Sequence, residues 1–221
     1  MTAKFAISCV VSNVLALTAV FLPAGTFAFW QGWVFLGVGG ICGSLTLIYL
    51  AMNDRVLLER RLRGPMRESR GVQKSIVIAL YLCLFSSVVL SGFDHRYGWT
   101  GNALPLVFIG NSLLIAGLYL YFLVYRQNRF AAATVEIAED HRVISTGVYG
   151  IVRHPLYVAL LTVAIGIPLA LESYWGLLFV VPVIALVVWR LRDEETLLAE
   201  NLRGYTEYQK QTRWRLIPGV F

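Results

Sequence analysis

The chain has 221 residues, of which 57% are hydrophobic and 14% are charged. Apolar content this high, arranged in long uncharged runs, argues against an ordinary soluble domain and indicates an integral membrane protein. The formal net charge of +6 does not indicate a nucleic-acid partner, because the basic residues fall between the apolar runs instead of forming one stripe. Cys9, Cys42 and Cys83 lie within apolar runs without metal-ligand spacing, so neither a disulfide nor a metal site is predicted.

Six apolar runs predict the membrane helices, and in chain order they are about 5–21, 33–52, 75–92, 104–125, 155–171 and 174–191. The shorter runs are at the lower limit for a spanning helix, so five or six spans are predicted. The first run has no convincing cleavage site and is interpreted as a retained helix. The connection Glu172-Ser173 is very short, which predicts a tight hairpin of the last two helices. The predicted fold class is therefore an all-α, polytopic membrane helical bundle.

The positions of the basic residues predict the orientation of this bundle. Apart from Arg96, every Lys and Arg falls at Lys4, in the loop 53–74, in the polar stretch 126–154, or in the C-terminal segment with the end of the sixth run, where Arg190 lies. Six spans bring these four regions to one side, which the positive-inside rule identifies as the cytoplasm. Both termini are then predicted to be cytoplasmic, in the inner membrane if the source is bacterial.

The segment Ser145–Tyr157, STGVYGIVRHPLY, is the most informative stretch of the chain. Proline suits the first turn of a helix, so the fifth helix is predicted to begin at Pro155. Gly147 permits a sharp turn before it. Arg153 and His154 then lie at a helix N-terminus, whose free N–H groups and positive dipole end favour an anionic group. The alternative is that the pair is only an interfacial anchor.

A second polar group follows the sixth run. If the helix continues beyond the membrane, Arg190 and Glu194 are one turn apart and can pair. Glu195 projects beside a stripe of leucines, where a carboxylate is costly unless it has a partner. The alternative for the two glutamates is a solvated acidic patch. Further on, Gly204 predicts a helix end, and the aromatic and basic residues after it either lie among lipid headgroups or close over a ligand.

Five short motifs occur in a fixed order: Gly147-Val-Tyr149, Arg153-His-Pro-x-Tyr157, Glu194-Glu195, Gly204-Tyr-x-x-Tyr208 and Arg215-Leu-Ile-Pro-Gly219. In this order they resemble the isoprenylcysteine carboxyl methyltransferase family, together with its bacterial relatives and the phospholipid N-methyltransferases. The first four apolar runs resemble the family only as apolar helices. One departure is Ala159, where the family commonly has glycine.

The resemblance implies a cytoplasmic S-adenosylmethionine site in the C-terminal half. Residues 1–125 are then transmembrane helices on the lipid and substrate side, and residues 126–221 are the catalytic, cofactor-binding part of the same membrane domain. The candidate cofactor contacts are Glu136, His141, Arg142, Val143, Ile144, Gly147, Tyr149, Arg153, His154, Pro155, Tyr157 and Glu195. The candidate catalytic residues are Arg190, as a substrate contact, with Glu194 and Glu195.

The hypothesis from the sequence is a membrane methyltransferase that uses S-adenosylmethionine and acts on a lipidic or small hydrophobic acceptor. Isoprenylcysteine carboxyl O-methylation is the nearest family activity, and phospholipid N-methylation and thiol S-methylation are alternatives. A carboxylate acceptor needs only an arginine to hold it, whereas an amine needs a base such as Glu194 or Glu195. The less favoured alternatives are an NADPH-dependent, sterol-reductase-like enzyme and a non-catalytic scaffold.

Overall fold

The computed structural model describes residues 2–62, 71–131 and 143–221, with side chains described from residue 11 onward and, in the first range, as far as residue 61. Within these ranges all regular secondary structure is helical. The predicted all-α membrane bundle is therefore confirmed.

The helices in chain order are α1 (Thr2–Ala24), α2 (Trp30–Asn53), α3 (Arg55–Leu62), α4 (Gly71–Tyr97), α5 (Leu104–Gln127), α6 (Pro155–Ala170), α7 (Val180–Asn201) and α8 (Tyr205–Gln211). Two 3₁₀ turns cover Gly147–Gly150 and Trp175–Phe179. Four segments are long and apolar enough to cross a membrane, at 30–53, 71–97, 104–127 and 175–201. Val11–Ala24 and Pro155–Ala170 are shorter apolar helices, so an integral membrane protein is confirmed and the exact number of spans stays a prediction.

The predicted helix start at Pro155 is confirmed, whereas the helix end predicted at Gly204 lies three residues earlier, because α7 ends at Asn201 and Gly204 directly precedes α8. The fifth apolar run begins a helix at Pro155, with His154 as the residue before it. Gly204 adopts a left-handed conformation, with φ of 85°, between the end of α7 and the start of α8. Glycine tolerates that conformation without steric cost, so the chain can change direction here.

Helices α5 and α6 are packed closely because small residues lie at the points where their backbones approach. A Cβ atom added to Gly110 would lie 2.0 Å from the backbone N of Ala170. One added to Gly117 would lie 3.1 Å from the carbonyl oxygen of Ala159, which is itself completely buried. Small residues let membrane helices approach until their backbones touch. This contact fixes the position of the α6 N-terminus relative to the end of α5.

A buried polar network joins the helices at one end of the bundle, which we call the far end. Asp94, at the end of α4, accepts hydrogen bonds from Thr100 N at 2.8 Å, from Thr100 Oγ1 at 2.5 Å and from Ser173 Oγ at 2.5 Å. Glu172 accepts a hydrogen bond from Gln31 Nε2. These bonds tie α2, α4 and the α6–α7 connection together. The opposite end, with α3, α8 and the α6 N-terminus, is called the site end.

Candidate functional site

A buried ion cluster lies at the N-terminus of α6. Glu195 on α7 is only 6% exposed. Its Oε1 accepts a hydrogen bond from Arg153 Nε at 2.7 Å and lies 3.1 Å from His154 Nε2, and its Oε2 accepts one from Arg215 Nε at 2.8 Å. Both carboxylate oxygens therefore have charged or polar partners, which offset the cost of burying the charge. The structure excludes the solvated acidic patch as a description of Glu195.

The segment after α8 folds back over this cluster. Arg153 Nη1 donates to the carbonyl oxygens of Thr212 at 3.1 Å and Arg213 at 3.0 Å. The Arg153 backbone N–H donates to Trp214 O at 2.8 Å. The helix N-terminus that was expected to attract an anion thus has the carboxylate of Glu195 beside it. Glu195 and Arg153 together hold the returning segment against the start of α6.

A line of hydrogen-bonded polar side chains connects α6 and α7. Arg190 Nε donates to the Tyr157 hydroxyl at 3.0 Å, and that hydroxyl donates to Glu194 Oε2 at 2.5 Å. Arg190 Nη1 also donates to Gln73 Oε1 at 2.8 Å, which connects α7 to α4. Arg190 and Glu194 are one helical turn apart, as expected, and the Tyr157 hydroxyl bridges them. One cation and one carboxylate are therefore held at fixed positions on the same wall.

A cavity of about 360 Å³ opens beside these polar groups. That volume lies within the range of small-molecule sites. Its polar and aromatic wall includes Asn128, Tyr149, Arg190, Glu194, Tyr205 and Tyr208. Its apolar wall includes Val77, Leu80, Leu84, Leu160 and Val163. These apolar positions step along α4 and α6 away from the site end, so the cavity extends from the polar cluster towards the middle of the bundle.

Three tyrosines, Tyr149, Tyr205 and Tyr208, belong to the polar and aromatic wall of the cavity. The Tyr149 hydroxyl accepts a hydrogen bond from Asn128 Nδ2 at 2.9 Å, and Tyr208 Oη donates to the Tyr149 carbonyl oxygen at 2.7 Å. Burial raises the pKa of the Tyr149 and Tyr205 hydroxyls, and it raises the pKa of Tyr208 to about 12. All three hydroxyls are therefore neutral near pH 7 and keep their protons for hydrogen bonding.

The Tyr205 hydroxyl is an exception among these groups. The side chain is only 4% exposed, yet its oxygen has no hydrogen-bond partner among the described residues. Buried polar groups normally have partners, so one without a partner in a cavity wall indicates a place for a ligand atom.

Most of the residues predicted for the site lie in the cavity wall. They are Val143, Ile144, Tyr149, Arg153, His154, Pro155, Tyr157, Arg190 and Glu194. Glu195 lies behind the wall, in the ion cluster. Gly147 also lies outside the wall and shapes the turn, with φ of 60° and with Gln127 Oε1 only 2.4 Å from the position of an added Cβ. Glu136, His141 and Arg142 lie outside the described residues. The roles of all these residues in binding and catalysis stay predictions.

Sequence reasoning missed several wall residues in the N-terminal half, above all Arg61, Tyr81 and Tyr121. Arg61 lies in a basic loop of the kind that the positive-inside rule explains without any site. The structure shows why Arg61 faces the cavity: it lies four positions after Leu57, which is completely buried, but the sequence does not distinguish this short helix from a polar loop. Residues separated by four positions share one helix face, so a helix that buries Leu57 also turns Arg61 towards the bundle.

Two comparisons with known proteins bear on this site. The family model described as phospholipid methyltransferase matches residues 106–204. The chain is also 33% identical over 91 residues to the Delta(14)-sterol reductase TM7SF2 of Mus musculus. That match covers 40% of this chain and only 22% of the reductase, so the chain spans a small part of the length of this relative.

The family match begins in α5 and ends at Gly204, so it contains the close α5–α6 contact, the α6 N-terminus and both glutamates of α7. The resemblance to methyltransferases is therefore confirmed for the segment that forms most of the cavity wall. Residues 106–204 of this helical membrane protein match the phospholipid methyltransferase family model, and that family lies within the isoprenylcysteine carboxyl methyltransferase-like superfamily.

Proposed function

We propose that this protein transfers a methyl group from S-adenosylmethionine to a lipidic or small hydrophobic acceptor. The observation that supports this proposal is a cavity with two kinds of wall. One wall is polar and aromatic and lies at the site end, and the other is apolar and runs along α4 and α6. A polar cofactor and an apolar acceptor can meet in such a cavity.

The residues of the polar wall fit the chemical groups of S-adenosylmethionine. When bound, this cofactor supplies a methyl group on a positively charged sulfur. Tyr149, Tyr205 and Tyr208 present aromatic rings, which attract cations. The unpartnered Tyr205 hydroxyl offers a hydrogen bond that no described residue uses. Val143 and Ile144 add apolar surface for a heterocyclic base.

We propose that His154, Pro155 and Tyr157 also contact the cofactor, as the family pattern implies. Glu136, His141 and Arg142 belong to the same proposal on the family pattern alone. The role that we propose for Glu195 is structural and does not involve contact with the cofactor. Its oxygens are occupied by side chains of the protein, so it acts by holding Arg153 and His154 in place and by keeping the returning C-terminal segment closed.

The hydrogen-bonded group of Arg190, Tyr157 and Glu194 supplies a cation for one kind of acceptor and a base for another. A carboxylate acceptor, as in isoprenylcysteine O-methylation, needs a cation to hold it, and Arg190 is the proposed contact. An amine, as in phospholipid N-methylation, must lose a proton, and Glu194 is the proposed base. A thiol acceptor is a third possibility in the same superfamily. In each case the protein aligns the nucleophile with the methyl group and excludes water.

The placement in the membrane is part of the same proposal. The site end carries α3, α8 and most of the basic residues of the chain, which supports a cytoplasmic location for it and for both termini. The cofactor would then enter from the cytoplasm. An acceptor with a long apolar chain would enter sideways from the bilayer, between α4 and α6.

A second candidate function follows from the similarity to the sterol reductase. An enzyme of that class would bind a nicotinamide cofactor at the polar wall. The matched segment is a small part of the reductase, whereas the methyltransferase model matches the residues that form most of the cavity. The methyltransferase is therefore the better-supported proposal.

Calorimetric measurement of ligand binding to the detergent-purified protein distinguishes the methyltransferase from the reductase. We expect saturable binding of S-adenosylhomocysteine and none of NADPH. Leu198→Trp places a large ring in the cavity wall and should weaken that binding at least tenfold. Leu197→Trp is the matched control, because Leu197 does not line the cavity. Binding of NADPH alone would establish the reductase alternative, and binding of neither by a folded protein would support a scaffold.

A further inference from the structure

Arg61 contributes a guanidinium to the cavity from the N-terminal half of the chain. It lies in the last turn of α3, and its Nη2 donates to the Tyr125 hydroxyl on α5. Its guanidinium carbon also lies 4.3 Å from the centre of the Tyr125 ring. These two contacts hold the planar group in one orientation. The guanidinium is therefore positioned before any ligand binds.

The Nε of Arg61 is buried and has no hydrogen-bond partner among the residues that the structure describes. Arg153 differs, because it is bonded to Glu195 and to two carbonyl oxygens. Arg190 differs as well, because it is bonded to Tyr157 and Gln73. Within the described part of the chain, no carboxylate forms an ion pair with Arg61. Among the described residues, its charge therefore has no carboxylate partner and its Nε has no acceptor, an arrangement that suits an anionic ligand.

The neighbours of Arg61 indicate which ligand it meets. Tyr121 and Tyr125 are one turn apart on the last half of α5, and Tyr121 lines the cavity together with Arg61. The apolar wall formed by Val77 and Leu80 belongs to α4, which follows α3 in the chain. Arg61 therefore lies where the apolar part of the cavity reaches the site end. That is the place for the headgroup of an amphiphile whose chain occupies the apolar part.

We propose that Arg61 binds an anionic oxygen, from a carboxylate or a phosphate, on the headgroup of the methyl acceptor. This inference rests on the proposed function, because it names the chemistry of the acceptor for that site. Arginine presents parallel N–H donors that match carboxylate and phosphate oxygens, and its charge does not depend on pH in the physiological range. A neutral headgroup oxygen can accept the hydrogen bond from Nε, but it leaves the guanidinium charge without a counter-charge. Arg61 therefore selects acidic amphiphiles over neutral ones.

Photolabelling in maltoside detergent micelles, which carry neither phosphate nor carboxylate, tests the proposal without requiring turnover. Three diazirine probes share one alkyl chain and end in a carboxylate, a phosphate monoester or a hydroxyl. We expect saturable labelling within the segment 77–84, with an apparent affinity about tenfold higher for at least one acidic probe than for the alcohol, as a charge-assisted hydrogen bond provides. The preferred acidic probe distinguishes a carboxylate from a phosphate headgroup.

Arg61→Gln should remove this preference while leaving the labelling by the alcohol unchanged, and Arg61→Lys should retain part of it. Arg60→Gln is the matched control, since it removes the same charge from the neighbouring position of α3, which does not line the cavity. Equal labelling by all three probes in the unmodified protein would overturn the proposal. So would an acidic preference that survives in Arg61→Gln.

Binding of S-adenosylhomocysteine, measured on the same samples, separates this proposal from the previous one. We expect both Arg61→Gln and Arg60→Gln to bind it as the unmodified protein does, which also shows that they are folded. If Arg61→Gln alone weakens this binding tenfold, Arg61 belongs to the cofactor site and the inference is wrong. If the unmodified protein does not bind it at all, the proposed function fails while the labelling result is still informative.

Discussion

The two adjacent glutamates of α7 offer a direct test of the site, because the structure gives them different surroundings. Glu195 is buried in the ion cluster, and Glu194 lines the cavity. We expect Glu195→Gln to destabilise the protein strongly and Glu194→Gln to destabilise it only slightly. The two substitutions are chemically identical and one residue apart, so each is the control for the other.

The magnitude follows from the contacts. Glu195 has two partners with buried side chains, Arg153 and His154, and a third, Arg215, whose side chain is 37% exposed. Hydrogen bonds to charged groups contribute about 1.5–3 kcal/mol each, and the exposed partner contributes less because water screens it. An amide keeps one acceptor oxygen but leaves buried cations without a counter-charge. The expected loss is therefore about 3–5 kcal/mol. Glu194 loses only the charge on one hydrogen bond from Tyr157, about 1 kcal/mol.

Thermal unfolding in detergent, followed by tryptophan fluorescence, measures the difference. For a chain of this length about 1 kcal/mol corresponds to about 2–4 °C, so Glu195→Gln should lower Tm by about 10 °C and Glu194→Gln by less than about 4 °C. Equal shifts for the two variants would refute the assignment of Glu195 to the ion cluster. A Tm unchanged in Glu195→Gln would show that the cluster does not stabilise the fold.

Two further predictions concern packing and pH. Gly110→Ala should lower Tm, because its Cβ would lie 2.0 Å from the Ala170 backbone, whereas Gly39→Ala, with open space around it, should leave Tm unchanged or raise it. Tyr208→Phe should cost about 1 kcal/mol at pH 8 by removing the bond to the Tyr149 carbonyl. The pKa of the Tyr208 hydroxyl is raised to about 12 in the folded state. Its contribution to the free energy of unfolding is therefore complete below pH 10 and is lost as pH rises through 12. The difference in stability between Tyr208→Phe and the unmodified protein should shrink over that range. Thermal unfolding of both proteins at each pH measures this difference in stability. A difference that grows with pH would contradict the hydrogen bond from the neutral Tyr208 hydroxyl to the Tyr149 carbonyl oxygen.

The positions of the helices were predictable because the bilayer imposes a simple rule. Apolar runs of sufficient length form helices in which every backbone group is bonded internally, and proline and glycine mark their limits. Each of the six predicted runs overlaps an apolar helix of the structure. The backbone preferences of proline and glycine predicted a helix start at Pro155 and a break in the helix near Gly204. Neither prediction needed knowledge of the tertiary fold.

The partners within the site were less predictable, because they are far apart in the chain. The sequence indicated that a carboxylate beside leucines needs a partner, and Glu195 has one. It did not indicate that the partners are Arg153 and Arg215, since no local spacing connects them. Arg61 was missed because a basic residue between membrane helices already has an explanation. The short helix α3, which turns Arg61 inward, was not distinguishable from a polar loop.

The two ends of the bundle differ in a way that separates stability from function. At the far end, Asp94 and its partners Thr100 and Ser173 satisfy one another, and none of them lines the cavity. Gln31 Oε1 at the same end has no partner among the described residues, but it does not line the cavity either. At the site end, the Arg61 Nε and the Tyr205 hydroxyl have no partner among the described residues, and both belong to the cavity wall. A closed network stabilises a fold, whereas donors without partners in a cavity are available to a ligand.

Asp94→Asn tests this distinction. The amide replaces one of the acceptor oxygens with a donor that faces hydroxyl or backbone N–H groups, so we expect a loss of about 2–4 kcal/mol of stability. The affinity for S-adenosylhomocysteine should not change, because the network lies at the other end of α4 from the cavity. Thermal unfolding and calorimetry on the same sample measure the two effects. A variant that keeps its Tm but binds the ligand more weakly would show that the far end influences the site, and the separation of stability from function would then be wrong.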